Sequence, residues 1–226
     1  MNIKEKILNK ITKKEKVYEL EVQIDENSFL VSKNIKKKII DKNGNINYVT
    51  KKVFNIVSNG SLSSKRWFNG YLLNEDGTCI YEIEINEDKN KYGAINRFGE
   101  NTVEPIYDGL AFGTEDTLVA VNGENIGFVD VLTGKQITPI IFKQLSHFKE
   151  GLAEVEWNGL KGYVKRDEHM TNPNNPWEYQ IAPKFTQAGD FESGVAEVEY
   201  EGNMYYINKD GVFITKETAR LLKKHF

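Results

Sequence analysis

The sequence predicts a mainly β protein whose core is a stack of antiparallel β-hairpin repeats in a solenoid-like arrangement. Glycine-led motifs recur at intervals of 34 and 35 residues, and turn-forming pairs such as Asn-Gly separate strands that alternate between apolar and polar residues. We expect two domains. Residues 1–90 form an N-terminal α+β segment, with a degenerate repeat from about residue 68, and residues 91–226 form the β-repeat domain, which ends in a capping helix over 216–226.

The first 16 residues predict a short amphipathic helix. Charged residues interrupt this segment throughout, so it lacks the continuous apolar stretch of about 7–15 residues that a secretory signal needs. We therefore expect a cytoplasmic location. Docking of the helix on the domain is the preferred interpretation, and binding to an anionic membrane surface is the alternative. One stripe of the helix would collect the apolar side chains Ile3, Ile7, Leu8 and Ile11.

Residues 17–66 predict several short strands, of which the clearest runs from Tyr18 to Ile24 with strict alternation. The charge along the chain is uneven, because residues 1–52 carry 13 Lys/Arg and 7 Asp/Glu, a net charge of +6. The densest basic run is Lys36-Lys37-Lys38, which we expect to be a solvated turn. A phosphate or nucleic-acid patch is the alternative, although the run lacks the interleaved aromatic residues of such patches.

Internal repetition dominates the second half of the chain. Three glycine-led strands occupy equivalent places at 93–95, 127–129 and 162–164. Pro105 and Pro139 each follow their glycine by 12 residues, whereas Pro183 follows Gly162 by 21, so nine residues are inserted in that copy. Terminal copies are expected to be irregular because they end the stack.

The strongest match joins two copies that lie 43 residues apart. In each copy we expect small or apolar residues to point inward and glutamates to point outward along one strand. A unit of this size cannot bury its apolar face alone, so neighbouring copies must stack. The matched residues are Gln144, Phe148, Gly151, Ala153, Glu154, Val155 and Glu156 with Gln187, Phe191, Gly194, Ala196, Glu197, Val198 and Glu199.

These motifs resemble the bacterial WG (KWG) repeat, whose average copy starts with Trp-Gly and ends with a strand such as Gly-Leu-Ala-x-Val. The resemblance covers residues 92–213, and its best copies are 126–157 and 162–200. The defining tryptophan is replaced by Tyr92, Ile126 and Lys161. The resemblance implies a stacked β module that acts in interactions rather than in chemistry.

The sequence supports no enzyme, metal site or cofactor. The three histidines, His147, His169 and His225, show none of the spacings that metal ligands adopt. Neither a phosphate-binding glycine loop nor a nucleophile elbow is present. The single cysteine, Cys79, lies in an apparent strand and is expected to be a small buried hydrophobe.

Composition also limits the partners. Lys+Arg number 30 against 33 Asp+Glu, a net charge of −3, which is unusual for a nucleic-acid-binding chain. No apolar stretch approaches the roughly 20 residues that span a bilayer. We therefore expect neither a nucleic-acid partner nor a membrane span, and favour another protein as the partner.

Two candidate partner-binding sites follow from the repeats. Glutamates at matched positions would form an acidic strip that steers a basic partner, unless they are only a solvated face. The insertion within residues 167–179 offers His169 and two aromatic anchors, Trp177 and Tyr179, which either contact a partner or pack on the sheet. The strip consists of Glu154, Glu156, Glu197 and Glu199.

The leading functional hypothesis is a non-enzymatic protein-interaction module. One alternative is an immunity-like inhibitor that binds a basic toxin or nuclease through the acidic face. The other alternative is a carbohydrate-binding repeat protein, although aromatic residues at inward strand positions favour a core role over a sugar platform. The stacking platforms would be Trp157, Tyr163, Trp177 and Tyr200.

Overall fold

The computed structural model describes residues 19–59, 61–62, 67–86 and 89–224. The predicted N-terminal helix over residues 1–16 lies outside the described residues. The described part of the chain is mainly β, as predicted, and its strands form five open antiparallel sheets. The chain divides into two compact units, residues 1–107 and 108–226, while the domain boundary expected at residue 90 stays a prediction.

The first unit contains two four-stranded sheets. The first sheet consists of β1 (Glu19–Gln23), β2 (Ser28–Ile40), β3 (Ile46–Ser58) and β4 (Ser61–Leu62), in that order. The second consists of β5 (Tyr71–Leu73), β6 (Cys79–Asn86), β7 (Lys89–Ile95) and β8 (Asn101–Tyr107), also in chain order. One buried cluster joins them and contains Leu30, Ile56, Phe68, Cys79, Tyr81 and Ile95.

The lysine run at 36–38 is not a turn, which corrects the sequence-based expectation. It lies within β2, where Lys37 pairs with Val49 of β3. The turn comes later, where the Asp41 carboxylate accepts the N–H groups of Asn43 and Asn45 at 2.9 and 2.8 Å. The run has no apolar–polar alternation of its own, and its conformation is set by continuous pairing of β2 with β3 from Ser28 to Ile40.

The second unit contains three sheets in the described part of the chain, and each sheet joins the closing strands of one repeat to the opening strands of the next. The first sheet has the order β11-β10-β9, the second β12-β13-β14 and the third β15-β16-β17-β18. The strands are β9 (Gly109–Phe112), β10 (Thr117–Asn122), β11 (Asn125–Asp130), β12 (Leu152–Trp157), β13 (Leu160–Lys165), β14 (Ile181–Phe185), β15 (Gln187–Ala188), β16 (Val195–Tyr200), β17 (Asn203–Asn208) and β18 (Phe213–Ile214).

The C-terminal helix α1 spans Lys216–Lys224, inside the range predicted for the capping helix. Its N-terminus is capped by Thr215, whose hydroxyl accepts the N–H of Thr218 at 3.1 Å. The helix buries Ala219, whereas Leu221 and Leu222 are exposed. The helix contacts β16 and β17, and the small Ala219 is the residue that it buries.

The glycine that opens each repeat is explained by the strand that contains the proline. A Cβ on Gly162 would lie 2.5 Å from the carbonyl oxygen of Ile181 and 2.7 Å from the nitrogen of Pro183. In the same way, a Cβ on Gly127 would lie 2.6 Å from the carbonyl oxygen of Pro139. The returning backbone crosses directly over the glycine, whether the proline follows after 12 or 21 residues, so the absence of a Cβ is a packing requirement.

Stacking of the sheets rests on aromatic pairs between neighbouring sheets. Phe128 on β11 packs against Phe148, which precedes β12, with ring centroids 4.5 Å apart. The equivalent pair in the next interface is Tyr163 on β13 and Phe191 before β16, at 4.9 Å. The middle sheet is therefore buried on both faces, because it supplies Ala153 to one cluster and Tyr163 to the other.

A second repeated device links the turns that precede β10, β12 and β16. Both oxygens of the Glu115 carboxylate accept the N–H of Gly151 at 3.1 Å. The equivalent Glu150 accepts the N–H groups of Ser193 at 2.6 Å and Gly194 at 2.9 Å. Lys209 also donates to the backbone carbonyl of Glu150 at 2.9 Å. The carboxylates of Glu115 and Glu150 therefore each connect one repeat to the next.

Glu150 makes the stability of this unit dependent on pH. Burial alone would raise its pKa, but the N–H of Gly194, the Lys209 ammonium and the N–H of Ser193 together hold the pKa below the ordinary 4.5. A lowered pKa means that the ionised carboxylate stabilises the fold above pH 4.5, and that this contribution is lost as the pH falls through the folded-state value. We expect Glu150→Gln to lose about 1–2 kcal/mol at pH 7.

Urea denaturation of wild type and Glu150→Gln between pH 3 and pH 7 measures this contribution. The difference between the two proteins should shrink below about pH 4.5. Glu201→Gln is the control, because Glu201 is exposed and accepts no hydrogen bond through its side chain in the described structure. A difference that stays constant over the whole pH range would contradict the assignment.

Candidate functional site

The insertion predicted from the repeat spacing forms the connection between β13 and β14. It runs from Arg166 to Gln180 and contains one 3₁₀ turn, Pro176–Glu178. Asn175 caps this turn, because its side chain accepts the N–H of Trp177 at 3.2 Å, and proline occupies the first position of the turn. We call residues 166–180 the insertion loop.

Glu178 organises the insertion loop from within. Its carboxylate accepts the N–H groups of Thr171 and Asn172, the latter at 2.8 Å, and the side-chain amide of Asn175 at 3.1 Å. These bonds, led by the one from Asn172, hold the pKa of Glu178 below its ordinary value. The loop is thus closed by an ionised group, which restricts its conformations.

Tyr179 is a packing residue, the second of the two roles predicted for it. Its ring lies in the buried cluster that contains Phe128 and Phe148, and its hydroxyl donates to the Pro173 carbonyl at 2.9 Å. Burial, followed by the nearby Glu178, raises the pKa of Tyr179 to about 12. His169 stays exposed, and its Nδ1 donates to the Gln136 carbonyl at 2.7 Å.

Trp177 points away from the unit. It is 90% exposed, more than any other large hydrophobic side chain in the described part of the chain. The Asn175 side chain accepts the backbone N–H of Trp177, and the buried Tyr179 follows two residues after Trp177. A large aromatic side chain is therefore presented to solvent on a backbone fixed at both sides.

Glu154 does not belong to the predicted acidic strip, which corrects the expectation that this side chain points to solvent. Glu154 is only 8% exposed and its carboxylate pairs with the Lys161 ammonium at 2.7 Å. The third sheet of the unit covers this face of the middle sheet, where Tyr163 packs against Phe191. Glu197 has the equivalent position in the last sheet and is exposed, while Glu156 and Glu199 are half-buried.

The four aromatic residues considered as sugar platforms are mostly packed. Trp157 contacts the Phe142 ring at a centroid distance of 6.1 Å, and Tyr200 contacts Phe213 at 5.7 Å. Tyr163 is fully buried. Trp177 alone of the four is freely accessible, so they do not form a shared stacking surface.

Cys79 is buried at the centre of the first unit, as predicted. Burial raises the pKa of its thiol to about 12, so the nucleophilic thiolate is not populated at neutral pH. No group of three potential metal-ligating side chains occurs among the described residues. No helix in the described ranges has both the length and the apolar character needed to cross a bilayer.

Sequence reasoning missed the residues that shape the insertion loop. Asn172, Asn175 and Glu178 fix its backbone, yet each looked like an ordinary polar loop residue. A signal was present, because asparagine directly before proline is a typical start of a helical turn. It would have predicted the 3₁₀ turn and hence the separate directions of Trp177 and Tyr179.

Comparisons with known proteins agree with the repeat architecture. No curated protein matches the chain significantly. The model of the family described as "WG containing repeat" matches residues 92–122, 126–160 and 181–203. The whole insertion loop, residues 166–180, falls between the second and third matched segments. With three matched copies, and sheets that repeat the same glycine, proline and aromatic contacts, the segment 92–203 contains WG-type repeats.

Proposed function

We propose that this chain is a non-enzymatic protein-interaction module whose partner docks on Trp177. The single observation that carries the proposal is the 90% exposure of Trp177 on a loop that the chain itself holds in place. Tryptophan is among the residues most enriched at the energetic centres of protein interfaces. A large apolar side chain in water is unfavourable for an isolated protein, and burial against a partner recovers that free energy.

The insertion loop lowers the entropic cost of such an interaction. Asn175, Glu178 and Tyr179 fix the backbone on both sides of Trp177 before any partner arrives. Only the side-chain rotamers of the tryptophan then need to be ordered on binding. The surrounding repeats serve as a rigid support, since Tyr179 anchors the loop in a fully packed cluster.

Affinity capture with quantitative mass spectrometry tests the proposal. The immobilised full chain is exposed to a lysate of its source organism, and wild type is compared with Trp177→Ala and Leu132→Ala. Leu132 is the matched control, because it is another exposed apolar side chain in a turn of the same unit. We expect one protein to be retained by wild type and by the control, and at least about tenfold less by Trp177→Ala.

Retention of that protein by all three baits alike would contradict docking on Trp177. Failure of any protein to exceed its level on bare resin would contradict the interaction module itself. Urea denaturation of Trp177→Ala should match wild type closely, since exposed substitutions have small effects on stability.

A further inference from the structure

The distal half of the β2–β3 hairpin has two unlike faces. On the inner face, Lys37 and Lys51 both bind the Glu84 carboxylate of β6, the second at 2.6 Å. These ion pairs hold that face against the second sheet of the same unit. The opposite face, which we call the outer hairpin face, consists of the side chains that alternate with these, Lys36, Lys38, Ile40, Ile46, Tyr48 and Thr50.

Every residue of the outer hairpin face is exposed. Ile40 and Ile46 lie directly opposite each other at 57% and 53% exposure, and Tyr48, at 67%, lies opposite Lys38. In the described structure β1 pairs with β2 at Phe29–Ser32, outside this part of the hairpin. A contiguous apolar patch edged by charge on a sheet marks an interaction surface.

The hairpin segment is rich in lysine, although Lys37, Lys51 and Lys52 pair with acids of neighbouring strands. Residues 33–52 contain seven lysines and one acid, Asp41. The Asp41 carboxylate is occupied within its own turn. One oxygen accepts the N–H groups of Asn43 and Asn45, and the other accepts the side-chain amide of Asn45. Lys36 and Lys38 form no ion pair with any described residue, so both ammonium groups are available on the outer hairpin face.

We propose that the outer hairpin face binds the surface of an anionic lipid bilayer. The side chains of Ile40, Ile46 and Tyr48 on the outer hairpin face would enter the boundary between headgroups and hydrocarbon. Lysine side chains beside them can extend their ammonium groups to lipid phosphates, and the flexible stems suit this position. Each Lys near an anionic surface adds attraction that salt weakens.

The apolar part of the patch favours lipid over nucleic acid. A phosphate backbone attracts lysines equally well, but it offers no apolar environment to the opposed pair Ile40 and Ile46. Recognition of single strands would need aromatic rings on which successive bases stack, and Tyr48 is the only one on this face. A bilayer surface accommodates both halves of the patch at once.

Vesicle co-sedimentation of the full chain tests the proposal. The vesicles contain phosphatidylcholine alone or with about 30% phosphatidylserine, at 50 mM and 500 mM NaCl. We expect at least about fivefold more binding to the anionic vesicles at low salt, and loss of that preference at high salt. The double variant Lys36→Glu/Lys38→Glu should lower binding at least about tenfold, and Ile40→Ser/Ile46→Ser several-fold.

Lys216→Glu/Lys223→Glu is the matched control, since it makes the same change of net charge on exposed residues elsewhere. It should bind like wild type. Circular dichroism confirms that each variant is folded. Equal binding to both vesicle types, or equal loss in the control, would overturn the proposal.

Two further measurements separate other occupants of this face. Binding to a 20-base-pair duplex or a 30-nucleotide single strand that is lost in Lys36→Glu/Lys38→Glu, without vesicle binding, would assign the face to nucleic acid. Sedimentation velocity of the free protein reports self-association. A dimer broken by Ile40→Ser/Ile46→Ser, again without vesicle binding, would assign the face to a second copy of the chain.

Discussion

Phe148→Ala should lower the free energy of unfolding of the 108–226 unit by about 3–5 kcal/mol, the largest effect expected from a single truncation. Phe148 is fully buried and its ring contacts Phe128 of the preceding sheet at 4.5 Å. Truncation removes the apolar contacts and leaves a cavity between two sheets, which the rigid backbone on each side cannot close.

Urea denaturation followed by tryptophan fluorescence measures this loss, since Trp157 and Trp177 both lie in the affected unit. Phe148→Leu keeps most of the volume and should lose no more than about 1.5 kcal/mol. Leu132→Ala, at an exposed turn, should stay within about 0.5 kcal/mol of wild type. If Phe148→Ala proved as stable as the Leu132 variant, the stacking of these two neighbouring sheets would not rest on this aromatic pair.

Gly162→Ala should destabilise the same unit by about 2–3 kcal/mol, although it adds only one methyl group. The new Cβ would lie 2.5 Å from the Ile181 carbonyl oxygen and 2.7 Å from the Pro183 nitrogen. Both atoms belong to the backbone of β14, so the clash is relieved only by moving that strand away from β13. The loss therefore reports a steric requirement at the motif rather than a conformational one.

Gly109→Ala is the matched control for this prediction. Gly109 also lies on a strand of the second unit, but the nearest atom to its Cβ would be a side-chain carbon of Val121 at 3.5 Å, an ordinary contact. Its stability should equal that of wild type or exceed it slightly, because alanine restricts the unfolded chain. Similar losses in the two variants would show that the crossing at Gly162 is not what makes the glycine necessary.

Much of the fold could be predicted because its signals are local or periodic. The glycines, prolines and turn pairs of the repeats act through their own backbone geometry, and the copies at 43-residue spacing reinforce one another. The lysine run at 36–38 lies outside these signals, because three consecutive lysines carry no alternation. Pairing with the distant residues 48–50 of β3 determines its conformation.

The candidate sites were less predictable because burial depends on what covers a face. Glu154 and Glu197 are equivalent in sequence, yet one is paired with Lys161 between two sheets and the other is exposed. Trp177 and Tyr179 are two residues apart and point to opposite environments. The outer hairpin face likewise combines residues from two strands that only their register brings together.

By itself the sequence determined that this chain is a β-repeat protein and where each copy begins, since backbone sterics and alternation are written into neighbouring residues. Tertiary structure decided which glutamate is ion-paired, which aromatic residue stays in solvent and which lysines face outward. The physical reason is that alternation defines two faces of a strand, while only the packing of the next sheet determines which of them remains in water.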